Sequence, residues 1–131
     1  MCSSDLTHLI PPSESLPAPG QGALGVECLA RRADLLKLLE ALHHAATARC
    51  VAAERAFSRA LSGSCNVPLG AYAEVEGGEL RLRGFVGAPD GSRVVRGALK
   101  GPARDPERLG ATLAEGLRAQ GAGEILAALP A

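Results

Sequence analysis

From Leu69 to Val86 the chain alternates in polarity with a period of two on either side of a Gly77-Gly78 pair. Leu69, Ala71, Ala73 and Val75 alternate with Tyr72, Glu74 and Glu76, and beyond the glycines Leu80, Leu82, Gly84 and Val86 alternate with Arg81, Arg83 and Phe85. A period of two places each set on one face of a sheet, and paired glycines supply the backbone freedom of a tight turn. The pattern predicts an antiparallel hairpin with one apolar face and one wet face. Pro89-Asp90-Gly91 predicts the next turn and Ser92 to Lys100 a third strand.

A sheet with one apolar face needs a second layer to cover it. Cys50, Ala53, Phe57 and Leu61 recur at helical spacing, which predicts a helix from about Thr47 to Ser62 with Gly63 at its left-handed C-terminal cap. Asp105-Pro106 is an N-cap and first-turn pair, heading a helix that turns Leu109, Leu113 and Leu117 inward. Gly121 and Gly123 break that helix, and Glu124 to Leu129 predicts a last short one. The fold class is therefore α+β, with residues 47–131 forming a two-layer α-β-β-β-α domain whose helices cover one face of a three-stranded antiparallel sheet. Phe57, Phe85 and Tyr72 are the only aromatics and Trp is absent, so Leu, Ala and Val carry the packing.

The upstream third reads differently. Residues 1–18 hold Pro11, Pro12 and Pro17 among several serines, a composition suited to an extended connector. Ala23 to Leu29 predicts a buried strand, followed by an amphipathic helix from about Ala33 to Ala46 with Leu35, Leu36, Leu38, Leu39 and Leu42 opposite Lys37 and Glu40. One strand and one helix do not make a domain. Residues 19–46 thus read as a strand-helix remnant of an upstream α/β domain.

At 131 residues, 47% apolar and 21% charged, the chain is that of a soluble globular protein too short to be a complete large enzyme. Fourteen basic and fourteen acidic residues leave no global field to draw in nucleic acid or an anionic membrane, and three aromatics provide no stacking platform for bases. Met1-Cys2-Ser3-Ser4-Asp5 has neither the basic nor the apolar part of a secretory signal, and every apolar run is interrupted before it could span a bilayer. A cytoplasmic location, with no nucleic acid or membrane partner, is the expectation. Cys2, Cys28, Cys50 and Cys65 lie 26, 22 and 15 positions apart without a C-x-x-C pair, so no metal site is expected.

Several short patterns carry possible chemistry. Gly20-Gln21-Gly22-Ala23-Leu24-Gly25 satisfies G-x-G-x-x-G, yet prolines precede it where a dinucleotide site needs a strand, which favours a turn requiring small residues. In that turn Gln21 and the backbone at Gly22 remain candidates for close approach to a ligand. Cys65, in the small-residue stretch Ser62-Gly63-Ser64-Cys65-Asn66-Val67-Pro68, is the nucleophile candidate. The preceding helix presents its negative end to this thiol and no His neighbours it, so a thiol that reacts once and stays alkylated suits it better than a turnover nucleophile. His43-His44 read as helix-end surface residues, since adjacent helical positions diverge by about 100°. Arg55 with Arg59, and Arg81 with Arg83, are solvated-face residues or carboxylate contacts.

Three of these stretches together resemble one family. Leu16-Pro17-Ala18-Pro19-Gly20-Gln21-Gly22-Ala23-Leu24-Gly25-Val26-Glu27-Cys28 resembles the LPAxGQGAxGIEC segment of the porphobilinogen deaminases, also called hydroxymethylbilane synthases. Ala53-Glu54-Arg55-Ala56-Phe57, with Gly63-Ser64-Cys65-Asn66-Val67-Pro68-Leu69-Gly70-Ala71-Tyr72-Ala73, is similar to the family's AERAF...GGCxVPIGAYA signature, with Ser64 in place of the second glycine. Val86-Gly87-Ala88-Pro89-Asp90-Gly91 adds a third block, and the resemblance runs from about Leu9 to Leu129.

The resemblance implies that Cys65 carries a dipyrromethane cofactor through a thioether. On that primer the family adds four porphobilinogen units with loss of ammonia, and releases hydroxymethylbilane by hydrolysis, in tetrapyrrole (haem and chlorophyll) biosynthesis. It implies that residues 1–18 are a hinge and the end of a second domain, that 19–46 belong to a first domain, and that 47–131 are the cofactor-attachment domain. Porphobilinogen and the growing oligopyrrole are the partners it implies for a complete, monomeric transferase. The family's catalytic aspartate and arginine cluster belong to upstream domains, so this chain is expected to be a C-terminal fragment with no catalytic residue of its own, inactive alone. Two other classes compete: a double-stranded-RNA-binding module, which shares the helix, three-strand, helix layout, and an inert remnant. Residues 50–131 hold ten Lys and Arg against nine Asp and Glu, far from a phosphate-binding footprint.

Overall fold

The computed structural model describes residues 7–61 and 67–129. The predicted helix end at Ser62, the Gly63 cap, Cys65 and Cys2 lie outside the described residues.

Three strands, β1 (Leu69–Glu76), β2 (Glu79–Gly87) and β3 (Val94–Pro102), form one antiparallel sheet in the order β1-β2-β3. The register pairs Ala71 with Gly84 and Ala73 with Leu82, and on the other side Leu82 with Leu99 and Val86 with Val95. Gly77 and Gly78 both take positive φ, 58° and 83°, at the first hairpin. The alternation thus sends Ala71, Ala73, Leu80, Leu82, Val86 and Val95 into the core.

Among the described residues four α-helices accompany the sheet: α1 (Ala33–Leu39), α2 (Ala45–Ala60), α3 (Pro106–Leu117) and α4 (Gly123–Ala127). α2 and α3 cover the apolar face, placing Ala53, Phe57, Leu113 and Leu117 against the strands. Their close approach depends on absent side chains. A Cβ on Gly84 would sit 2.6 Å from Phe57 Cζ, and one on Gly97 2.9 Å from Leu117 Cδ2, so the sheet yields space to a large inward residue of each helix. Asp105 stands at the N-cap of α3 with Pro106 following, but its side chain makes no capping bond and lies instead 3.5 Å from Arg104 Nε. α3 and α4 meet at a kink over Arg118–Ala122, where Gly121 takes φ 103°; Gly123 is helical and opens α4 rather than breaking the chain.

Two upstream expectations are corrected. Residues 23–29 form no strand: they pair with nothing among the described residues, and Leu24 is 98% exposed. Strand backbone is stabilised by ladder partners, and an apolar run without them has no reason to hold that form. The helix predicted to Ala46 ends earlier, α1 passing into a 3-10 turn at Glu40–Leu42 before an extended His43. α1 buries no residue, so no packing on the core carries the helix past Leu39. The outer sheet face is also less wet than its pattern implies. The backbone carbonyls of Leu16 and Pro17 pack over Gly70, and Ala71 N–H donates to Pro17 O at 3.0 Å.

Candidate functional site

The small-residue turn is built by its glycines. Gly20 and Gly22 take φ of 76° and 85°, a region closed to most side chains, while Gln21 N–H donates to Ala18 O at 3.0 Å and Ala23 N–H to Gly20 O at 3.2 Å. Gln21 folds back on the turn, its Oε1 accepting from Ala18 N–H at 3.0 Å. Space around Gly22 is open, with no atom within 4 Å of where a Cβ would stand.

This turn is fastened to the sheet domain by a residue that the sequence reading passed over. Glu54 on α2 is only 6% exposed, and its carboxylate accepts two backbone N–H bonds at 2.7 Å, Oε2 from Gly20 and Oε1 from Ala73 on β1. One side chain thereby joins the Gly20 turn, α2 and β1. Burial pushes the Glu54 carboxyl above its ordinary range, and the two N–H bonds oppose that shift. A cavity of about 370 Å³ opens beside it, with Gln21 and Gly22 on one wall and Thr47, Cys50 and Tyr72 opposite. Burial, then the nearby Glu54 and Glu74 charges, raise the Cys50 thiol, which makes it a poor nucleophile at neutral pH.

The remaining candidates are dispersed. His44 is the N-cap of α2, its Nδ1 accepting from Thr47 N–H at 3.4 Å and standing 2.7 Å from Thr47 Oγ1. Arg59 faces Glu107 at 3.8 Å, whereas Arg55 lines a separate groove with Pro19 and Leu24. Arg83 donates to Glu74 Oε2 at 2.8 Å and lies over the Tyr72 ring, while Arg81 is exposed. Among the described residues no group of three or more His, Cys, Asp or Glu gathers as metal ligands do.

Cys65, the nucleophile candidate, lies between the described residues Leu61 and Val67. Leu61 is fully buried, and the carbonyl of Pro68 accepts the N–H of Gly87 at 2.9 Å, so α2 and β1 hold both sides of residues 62–66 firmly to the core.

Comparison with known proteins bears on the whole arrangement. The family model described as "Porphobilinogen deaminase, C-terminal domain" matches residues 48–119, which take in α2 from its second turn's start onward, the three strands and all of α3. A porphobilinogen deaminase of Nitrosomonas europaea is 55% identical over 124 residues, covering 95% of this chain and 40% of the relative. One of Methylobacillus flagellatus is 54% identical over 128 residues, covering 98% and 41%, and one of Bordetella parapertussis is 54% identical over 121, covering 92% and 38%. The chain thus spans about two fifths of the length of these relatives. With a matched domain over more than half its length, the chain belongs to the porphobilinogen deaminase family.

Proposed function

We propose that this chain is the primer-bearing C-terminal portion of a hydroxymethylbilane synthase, the transferase that joins four porphobilinogen units into hydroxymethylbilane. The observation that carries this reading is that the matched domain, 48–119, spans Cys65 and anchors the chain on both sides of it. A thiol is the donor that a thioether to dipyrromethane requires, and firm ends at Leu61 and Pro68 suit a stretch that carries a covalent load. When bound, dipyrromethane supplies the pyrrole end at which porphobilinogen units are added with loss of ammonia.

The chain's own part in that chemistry is placement. Glu54 holds the Gly20-Gln21-Gly22 turn against the domain that bears Cys65, and the open space at Gly22 and the Gln21 backbone give a bound pyrrole chain a surface to lie on. In the complete protein residues 1–18 act as a hinge and the end of a second domain, 19–46 belong to a first, and 47–131 are the attachment domain. The break in helix at His43 and the start of the matched domain at residue 48 support a boundary there. The complete protein works as a cytoplasmic monomer on porphobilinogen and the growing oligopyrrole, and this chain alone does not polymerise. Among the described residues no helix is long and apolar enough to cross a membrane.

The test is the intact mass of the chain and of its Cys65 peptide, with porphobilinogen alone and then with the N-terminal part of the Nitrosomonas europaea relative added. A dipyrromethane-sized adduct on Cys65 in the second case, lost in Cys65→Ser, is the expected result. An unmodified Cys65 in both, while the relative's own full-length protein loads under the same conditions, overturns the reading.

A further inference from the structure

A groove of about 550 Å³ opens between residues 19–26 and the junction of α1 with α2, walled by Leu24, Val26, Leu39, Leu42 and Val51. The segments that form it leave large apolar side chains in water. Leu24 is almost wholly exposed, Leu38 and Leu42 are each 70% exposed, and Val26, Leu29 and Leu36 are exposed as well. At 100° per residue Leu35, Leu36, Leu38 and Leu39 fall within one arc of about 160° on α1, so Leu36 and Leu38 flank the groove residue Leu39. Together Leu24, Val26, Leu29, Leu36, Leu38 and Leu42 expose on the order of 700 Å², more than an apolar patch on a monomer commonly covers and close to the roughly 800 Å² that each partner gives to a specific interface.

The charges at this face complement one another between copies. Among the described residues the groove is lined by Arg55, His43 and His44 and by no Asp or Glu. Arg55 is exposed and makes no ion pair among those residues. Glu40 directly follows α1 at the border of the leucine arc, and it too is exposed and without an ion pair among them. Each copy thus offers a cation in the groove and a carboxylate at its rim. About a two-fold axis one patch meets its own duplicate, so both pairs close together, Glu40 of each copy against Arg55 of the other.

We infer that this face binds a second copy of the chain, the two grooves meeting about a two-fold axis with the leucines between them and a Glu40–Arg55 pair on either side. Apolar area drives the association, and the charged rim fixes its orientation. Area alone does not fix affinity, and a patch this open, with exposed charges at its border, associates in the micromolar range. Below about 1 µM the chain is then a single copy with Leu24 in water. Neither Cys65 nor Gln21 takes part, so the inference stands or falls apart from the pyrrole reading.

The test is analytical sedimentation of the full chain from about 1 to about 300 µM. The parent is expected to rise from the 13.4 kDa of one chain toward twice that mass. Leu38→Ser combined with Leu42→Ser, at exposed positions whose change leaves the core untouched, is expected to weaken association at least about tenfold, with circular dichroism reporting the fold. Glu40→Arg and Arg55→Glu each set like charges together across the axis, and each is expected to weaken association about tenfold. An equimolar mixture of those two variants is expected to restore it, because every reversed charge then meets its opposite on the other copy. A single-copy mass at the highest concentration, a serine variant that associates as the parent does, or a mixture no better than its components would each overturn the inference. So would a chain that stays single and binds the N-terminal part of the Nitrosomonas europaea relative instead, which would give the face to that part.

Discussion

The Glu54 carboxylate accepts the amide hydrogen of Gly20 at 2.7 Å, across 34 positions of sequence. Its other oxygen serves Ala73, so replacement by Gln keeps one acceptor and turns an NH2 group toward a second N–H. Relief from burying a charge offsets part of that loss. Glu54→Gln is expected to cost about 1–2 kcal/mol in urea unfolding at neutral pH, and to speed hydrogen exchange at Gly20 or Ala73.

The same carboxyl gives stability a pH dependence of known sign. Burial raises its folded-state value above the unfolded one, so the folded chain binds this proton more tightly. Its contribution is fully present below the ordinary carboxylate range and is lost as pH rises through the raised folded value. Across that window the fall in unfolding free energy should be shallower in Glu54→Gln than in the parent; identical slopes would show that Glu54 titrates as an ordinary surface acid.

Phe57 and Gly84 fill one space between them, and either change disturbs it. Phe57→Ala leaves a cavity under a fully buried position and should cost about 3–5 kcal/mol. Gly84→Ala drives a methyl group into the ring and should cost about 1–3 kcal/mol. Because the clash requires the ring, combining Gly84→Ala with Phe57→Leu should cost less than the two single losses added; full additivity in denaturant melts would contradict the contact.

Leu24 presents an apolar side chain almost wholly to solvent. Leu24→Ser is expected to change unfolding free energy by less than about 0.5 kcal/mol, since no packing is lost. A larger loss would mean that residues 23–29 pack on the domain in solution.

The Cys50 thiol is raised first by burial and then by the Glu54 and Glu74 charges. Iodoacetamide labelling followed by peptide mass mapping should find Cys50 slower than an unperturbed thiol at neutral pH, with its rate still climbing above the ordinary thiol range. Labelling at the rate of a free thiol would place Cys50 outside that environment.

Strands and the two long helices were legible because each repeats a short-range period: Leu80, Leu82 and Val86 on one strand face, Ala53, Phe57 and Leu61 on one helix stripe. Leu35, Leu36 and Leu39 show a period just as clear, yet α1 stops at Leu39 and buries nothing, because a period states which face is apolar and not whether anything covers it. Gly20 and Gly22 were readable as a turn from residue type alone. Glu54 was not. A lone glutamate next to Arg55 on a helix looks like a surface acid, and its burial arises only when Gly20 and Ala73, far apart in sequence, bring their amides to it.

The bond from Ala71 N–H to Pro17 O covers part of the outer edge of β1. A β1 edge open along its length would offer a row of unused amides on which a strand of another molecule could grow. Here the molecule's own upstream chain occupies part of that row, and does so with a proline, which has no amide hydrogen to extend a ladder further. Cutting residues 7–17 from the chain would therefore be felt first as aggregation, well before any loss of the core.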